Sequence, residues 1–193
     1  MNKPNGYDEA RETGSFTPVE LGGHFAVIKQ VAERDTKNGK PMVVVIFDFM
    51  APDKQPDYFA NAFEADDREE KKWPFNGTKY IMVQDFNDAS KTSRAFKSFI
   101  TCFEKSNNVT IKWGGSDWGK QFKGKKIGVV FGEEEHEYDG ETSMRRVPKF
   151  FCEFDKAKDA GIPTAKYLPK ATKPTATAPV EGFSLINDDE IPF

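Results

Sequence analysis

The sequence predicts a mainly β domain carrying one helix, arranged as a small barrel or as an α+β sandwich. Three observations lead there. An Asn38-Gly39 step joins the β-rich runs 24–36 and 40–50, and an Asp139-Gly140 step joins 127–137 to 143–154. Such dipeptides supply the positive φ angles that two-residue hairpin turns require. Between the hairpins, residues 91–108 space Phe96, Phe99, Ile100 and Phe103 at i, i+3, i+4 and i+7, the period of one buried helix face.

In chain order, residues 1–16 are polar and read as an arm. Within 40–50, Val43, Val45, Phe47 and Phe49 line one face and Val44, Ile46 and Met50 the other, which predicts a strand covered on both sides. DYFANAF (57–63) reads as a candidate third strand, and KYIMV (79–83) as another after Asn76-Gly77. The charged stretch between them ends in Trp73-Pro74-Phe75; proline does not suit a central strand, so this stretch is an exposed loop. Asp88 or Ser90 caps the helix, and Asn107-Asn108 ends it, since asparagine tolerates the left-handed conformation. VTIKW (109–113) and a Gly- and Trp-rich connection lead to the closing hairpin. With the helix between the third and fourth strands, this is the order of a five-stranded Greek-key barrel, the OB-fold plan. The sandwich accommodates the same elements. Beyond Asp155 the chain turns rich in Pro, Ala, Thr and Lys, the composition of a linker without a core. The expected organisation is an arm (1–16), a domain (17–155), a linker (156–183) and a terminal peptide (184–193).

Charge is distributed unevenly. The chain of 193 residues has 28 Lys+Arg and 31 Asp+Glu, a net −3. Residues 181–193 hold Glu181, Asp188, Asp189 and Glu190 and no cation, so the remaining 180 residues carry 28 cations against 27 anions, or +1. No apolar run approaches the roughly 18 residues of a membrane span, and the first residues lack the apolar stretch of a secretory signal, so a cytoplasmic chain is expected. The two cysteines, Cys102 and Cys152, do not make a disulfide framework.

Motifs of enzymes are sparse. There is no GxxxxGK[ST], GxGxxG, CxxC or HExxH, and His24 and His136 read as surface histidines; no cofactor or metal is expected. Pro56-Asp57 followed by Glu70-Lys71-Lys72 matches the short pattern of metal-dependent nucleases, and that reading stands as an alternative. The positive signal is a run of cations interleaved with aromatics. Residues 112–126 hold Lys112, Lys120, Lys123, Lys125 and Lys126 against Asp117, with Trp113, Trp118 and Phe122 among them. Cations track phosphates and aromatic faces accept unstacked bases. The first hairpin loop adds Arg34, Lys37 and Lys40, the last hairpin Tyr138, Arg145, Arg146 and Lys149, and the loop before Gly77 adds Trp73. Phe150 and Phe154 are expected inside the barrel.

The terminal DDEIPF suits docking into a small apolar pocket rimmed by cations: Asp188, Asp189 and Glu190 steer, and Ile191, Pro192 and Phe193 fill. It resembles the acidic C-terminal peptide of bacterial single-stranded DNA-binding proteins, which recruits replication, recombination and repair enzymes. The body is similar to a family of phage- and mobile-element-encoded single-stranded DNA-binding proteins, on GGHFAVIKQV (22–31), FKSFITCFEKSNN (96–108), KGKKIGVVFGEEEHEYDGE (123–141) and MRRVPKFF (144–151). The resemblance implies an OB-fold, sequence-tolerant binding of single strands in the cytoplasm of a bacterial host, and partner proteins engaged by the tail. A homo-oligomer is compatible with it. A protein-interaction adaptor without DNA binding is the other alternative.

Overall fold

The computed structural model describes residues 3–7 and 17–169. Residues 1–2 and 8–16 of the arm, the second half of the linker (170–183) and the terminal peptide lie outside the described residues. Five strands, β1 (Gly22–Asp35), β2 (Pro41–Phe49), β3 (Thr78–Met82), β4 (Lys126–Tyr138) and β5 (Glu141–Cys152), form one antiparallel sheet in the order β3-β2-β1-β4-β5. Helix α1 (Tyr58–Glu64) lies between β2 and β3, and α2 (Arg94–Asn107) between β3 and β4.

Both hairpins form where the dipeptides place them. Asp139 and Gly140 have φ of 53° and 77°, and Tyr138 pairs directly with Glu141, a two-residue turn whose twist matches the strands. Central strand β1 serves two partners: residues 26–35 pair with β2 and 22–27 with β4, with a bulge between Ile28 and Gln30. One face carries the core. Ile28, Val45, Phe47, Phe49, Val129 and Phe131 are buried there under Phe96, Phe99, Ile100 and Phe103 of α2. The Phe99 ring packs on Phe151 at 5.1 Å and on Phe122 at 5.5 Å.

Several expectations are corrected. The sheet is not closed into a barrel: β3 and β5 are its two edges, and the Lys79 ammonium reaches across to the Pro148 carbonyl at 2.8 Å where a ladder would otherwise run. Residues 58–64 are helical, not a strand. The reason lies outside the segment: the buried Asp48 carboxylate accepts the Phe59 and Ala60 N–H groups, satisfying the first turn of α1 from the preceding strand. Ser93, rather than Asp88 or Ser90, caps α2, its Oγ accepting from Phe96 N at 3.1 Å, while Asn108 closes the helix at φ 51°. Phe150 is 49% exposed. Lys149 is the extra residue of a bulge opposite Val130 and Phe131, so the alternation flips and Phe151 points inward instead. Phe154 is buried, but in the helical turn Phe154–Asp159 beyond β5. The chain also stays on the sheet past residue 156. Ala157 is fully buried, and Lys166 bridges β4 in parallel, its N–H donating to Glu133 and its carbonyl accepting from Glu135.

His24 is buried at 3% exposure rather than on the surface. Its ring lies on Phe49 at 4.1 Å, with the Asp53 carboxylate 3.2 Å from Nδ1 and the Glu20 carbonyl 2.9 Å from Nε2. Burial by itself raises the Asp53 carboxyl, but the His24 ring and the N–H groups of Gln55 and Phe25 outweigh it and hold Asp53 below its ordinary value. Asp48 goes the other way: burial outweighs its three N–H donors and Lys29, and pushes it up.

Two outcomes are expected. Asp48→Ala strands buried N–H donors and lowers unfolding stability by about 2–4 kcal/mol, more than Asp48→Asn, which keeps one acceptor; urea unfolding measures it. A depressed folded pKa contributes stability that is present above the unfolded value, about 3.9, and lost as pH falls through the folded one. Asp53→Asn therefore flattens the acid limb of stability below about pH 4 in a pH series of the same unfolding experiment.

Candidate nucleic-acid interface

Cross-strand partners in an antiparallel sheet share a face. The register Arg34–Met42–Met82, Ala32–Val44–Tyr80 and Gln30–Ile46–Thr78 therefore builds a second face across β1, β2 and β3, opposite the core. Met42, Ile46 and Met82 are half-buried there, and Tyr80 stands out at 53% exposure. Grooves lie at both ends of β3. At one end a cavity of about 440 Å³ is lined by Arg34, Met42, Val83, Phe96, Trp113 and Trp118 among others. At the other, a groove of about 270 Å³ runs between β3 and β5, lined by Phe75, Tyr80, His136, Arg145 and Pro148. It continues through Phe75 and Arg145 into a third of about 460 Å³ that reaches Arg146. Trp113 (65%) is exposed at the first of these, and Tyr80 and Phe75 (64%) at the second.

Local geometry explains each platform. Trp113 precedes a turn, Trp118–Phe122, that lies against β1. The Gln121 amide clamps that turn to the segment, accepting from Lys112 N and donating to the carbonyls of Lys112 and Trp118. Trp113 then stacks on Trp118 at 6.0 Å, with Phe96 at 6.2 Å, and most of its indole stays exposed. Phe75 follows Pro74 into a short turn with Gly77, a position where any Cβ would strike the Trp73 indole nitrogen and the Phe59 ring. Beyond β3, Phe86 is almost wholly exposed, with the Lys40 ammonium 5.4 Å from its ring centre.

The expected residues divide. Arg34 lines the first cavity, Arg145 the other two grooves, and Tyr138 is exposed at the hairpin tip. Lys37 is exposed in the first hairpin loop; Lys123, Lys125 and Lys126 are exposed at the start of β4, outside these three grooves, with Lys126 over the Phe154 ring. Lys120 pairs with Asp117 at 2.8 Å. Trp118 and Phe122 are corrected as stacking platforms: they are core residues, because the helical turn folds both rings under α2. Trp73 is partly buried against the core, and its Nε1 donates to the Gly77 carbonyl. Lys149 is bound to Glu134 at 3.0 Å, and Arg146 donates to the Val19 carbonyl with Glu133 3.9 Å away. β4 thus neutralises part of the β5 cation set from across the ladder, where Glu133 faces Arg146 and Glu134 faces Arg145. The hydrogen bond from Lys149, outweighing burial and helped by Lys166, holds the Glu134 carboxyl below its ordinary value.

Phe75, Tyr80 and Phe86 were not foreseen. The alternation of Tyr80 with buried Ile81 carried the signal for one of them. Asp57 opens α1 at φ 55°, and among the described residues no three of His, Cys, Asp and Glu gather as a metal site, so the nuclease pattern at Asp57, Glu70, Lys71 and Lys72 assembles no such cluster. The terminal residues Asp188 to Phe193 lie outside the described residues. Compared with known proteins, the chain matches no family model and no curated sequence.

Exposed and buried indoles should separate in solution. Trp113→Phe removes most of the acrylamide-quenchable emission and leaves stability within about 0.5 kcal/mol, whereas Trp118→Ala costs about 3–5 kcal/mol in the same unfolding assay.

Proposed function

We propose that this chain is a non-enzymatic, sequence-tolerant single-stranded DNA-binding protein with an OB-type domain. The observation that carries the reading is a set of exposed aromatics beside grooves that also hold cations: Trp113 with Arg34 at one, Tyr80 and Phe75 with Arg145 and Arg146 at the others. Aromatic faces stack on successive unpaired bases, and cations beside them take the phosphates. The strand order supports the OB plan, because it is that of a five-stranded Greek-key barrel whose β3–β5 seam is spanned by a side chain instead of a ladder. A near-neutral body supports stacking over bulk charge as the main source of affinity.

The terminal peptide completes the reading. Its acids keep it off a polyanion and its Ile-Pro-Phe suits a small apolar pocket on another protein, so partner enzymes of replication, recombination and repair are recruited without competing for the strand. Bacterial cytoplasm is the compartment this function implies.

An oligo-dT titration tests it. Binding quenches the tryptophan emission, weakens with salt, and loses about 1–3 kcal/mol with Trp113→Ala and again with Tyr80→Ala. Absence of quenching and of a gel shift at low salt would refute the proposal. Removing residues 184–193 leaves that binding in place and ends co-purification of replication proteins.

A further inference from the structure

The cavity beside Trp113 is chemically unlike the grooves beside Tyr80 and Phe75. Two carboxylates, Glu33 and Asp35, sit in its lining beside Arg34, next to the aromatic walls of Phe96, Trp113 and Trp118. Among the described residues none of these three charged groups has a side-chain hydrogen bond or an ion-pair partner. Trp118 adds a second, independent feature: it is 6% exposed, and its buried Nε1–H finds no acceptor. A buried donor left unmade costs free energy, and native structures rarely keep one without a water or ligand to meet it. Acids are also the wrong groups for a phosphate path, yet they suit the N–H groups of a base edge.

We infer that this cavity seats one nucleobase of the bound strand and that the base it prefers is guanine. The inference rests on the single-strand-binding reading above. Guanine is the one DNA base whose edge presents two adjacent donors, N1–H and the 2-amino group, which a single carboxylate accepts as a fork. Thymine offers one N–H flanked by two carbonyls, and the amino groups of adenine and cytosine each adjoin a ring acceptor, so a carboxylate meets repulsion beside its one bond. The O6 and N7 acceptors of guanine in turn suit donors such as the Arg34 guanidinium and the Trp118 indole N–H. The exposed part of the Trp113 indole supplies the stacking surface, and a volume of about 440 Å³ leaves room for one purine. Stacking on Tyr80 and Phe75 remains tolerant, so the preference sets register along a strand instead of selecting a long sequence.

The test uses the full chain and a short dT oligomer carrying one central dG, dA, dC or deoxyinosine, read by fluorescence titration. The single dG tightens binding about tenfold over the all-dT strand, while dA and dC do not. Deoxyinosine, which lacks the 2-amino group, loses most of the gain. In the Glu33→Gln/Asp35→Asn double variant the dG advantage disappears, and binding to the all-dT strand tightens because two anions have left the path of a polyanion. Equal affinity for the dG and all-dT strands overturns the guanine pocket and leaves the strand-binding proposal standing. A dG advantage that survives the double variant overturns the role of the carboxylates. No binding to any strand overturns both proposals together.

Discussion

A buried carboxylate organises much of this molecule. Asp48 sits near the end of β2 with no exposure, accepting N–H bonds from Phe49, Phe59 and Ala60, with the Lys29 ammonium 3.8 Å away. An ionised group at such depth is costly unless its lone pairs are met. Here they are met by the first turn of α1, so the charge is tolerated only if the chain after β2 turns helical. That helix delivers Phe59 into the core against Phe47 and Phe49. Phe59 and Trp73 then fix the tight approach of Gly77, which launches β3 and leaves Phe75 outside. The exposed position of Phe75 thus follows from one buried carboxyl group.

A second hub lies close by, at the same open end of the hairpin. Asp53 receives N–H bonds from Phe25 and Gln55 and faces the His24 ring, tying the start of β1 to the loop after β2. These two carboxylates are shifted in opposite directions for a common reason: each balances desolvation against the donors around it, and only at Asp53 do the donors win. The polar interior therefore sets both the fold's local geometry and its response to acid, while the phenylalanine core supplies the bulk of the burial.

Much of the fold was legible in the sequence, because its signals are local. Asn38-Gly39 and Asp139-Gly140 fix turns by their own φ preferences, and the spacing of Phe96, Phe99, Ile100 and Phe103 identifies α2 and its buried face without knowledge of its partners. What was illegible depends on distant groups. The helix at 58–64 is capped from Asp48, nine residues before its own N-cap, and its short aromatic run carries β propensity. The Lys149 bulge exchanges the faces of Phe150 and Phe151 without leaving a mark in the sequence. At the candidate site, the cation-aromatic run mixed two environments: Trp113 is exposed, whereas Trp118 and Phe122 belong to the core. Clustered lysines also overstated the basic surface, since Lys120 and Lys149 have carboxylate partners that only the folded chain supplies.

The central claim is that unpaired bases lie along Trp113, Tyr80 and Phe75. Photo-crosslinking with an oligomer carrying 5-bromodeoxyuridine at each position in turn, followed by peptide mapping, reads this contact directly. The account predicts adducts on Trp113, Tyr80 and Phe75, with those on Tyr80 and Phe75, which line one groove, coming from neighbouring positions of the strand. Adducts confined to Phe150, Tyr167 and the exposed lysines at the start of β4 would contradict it.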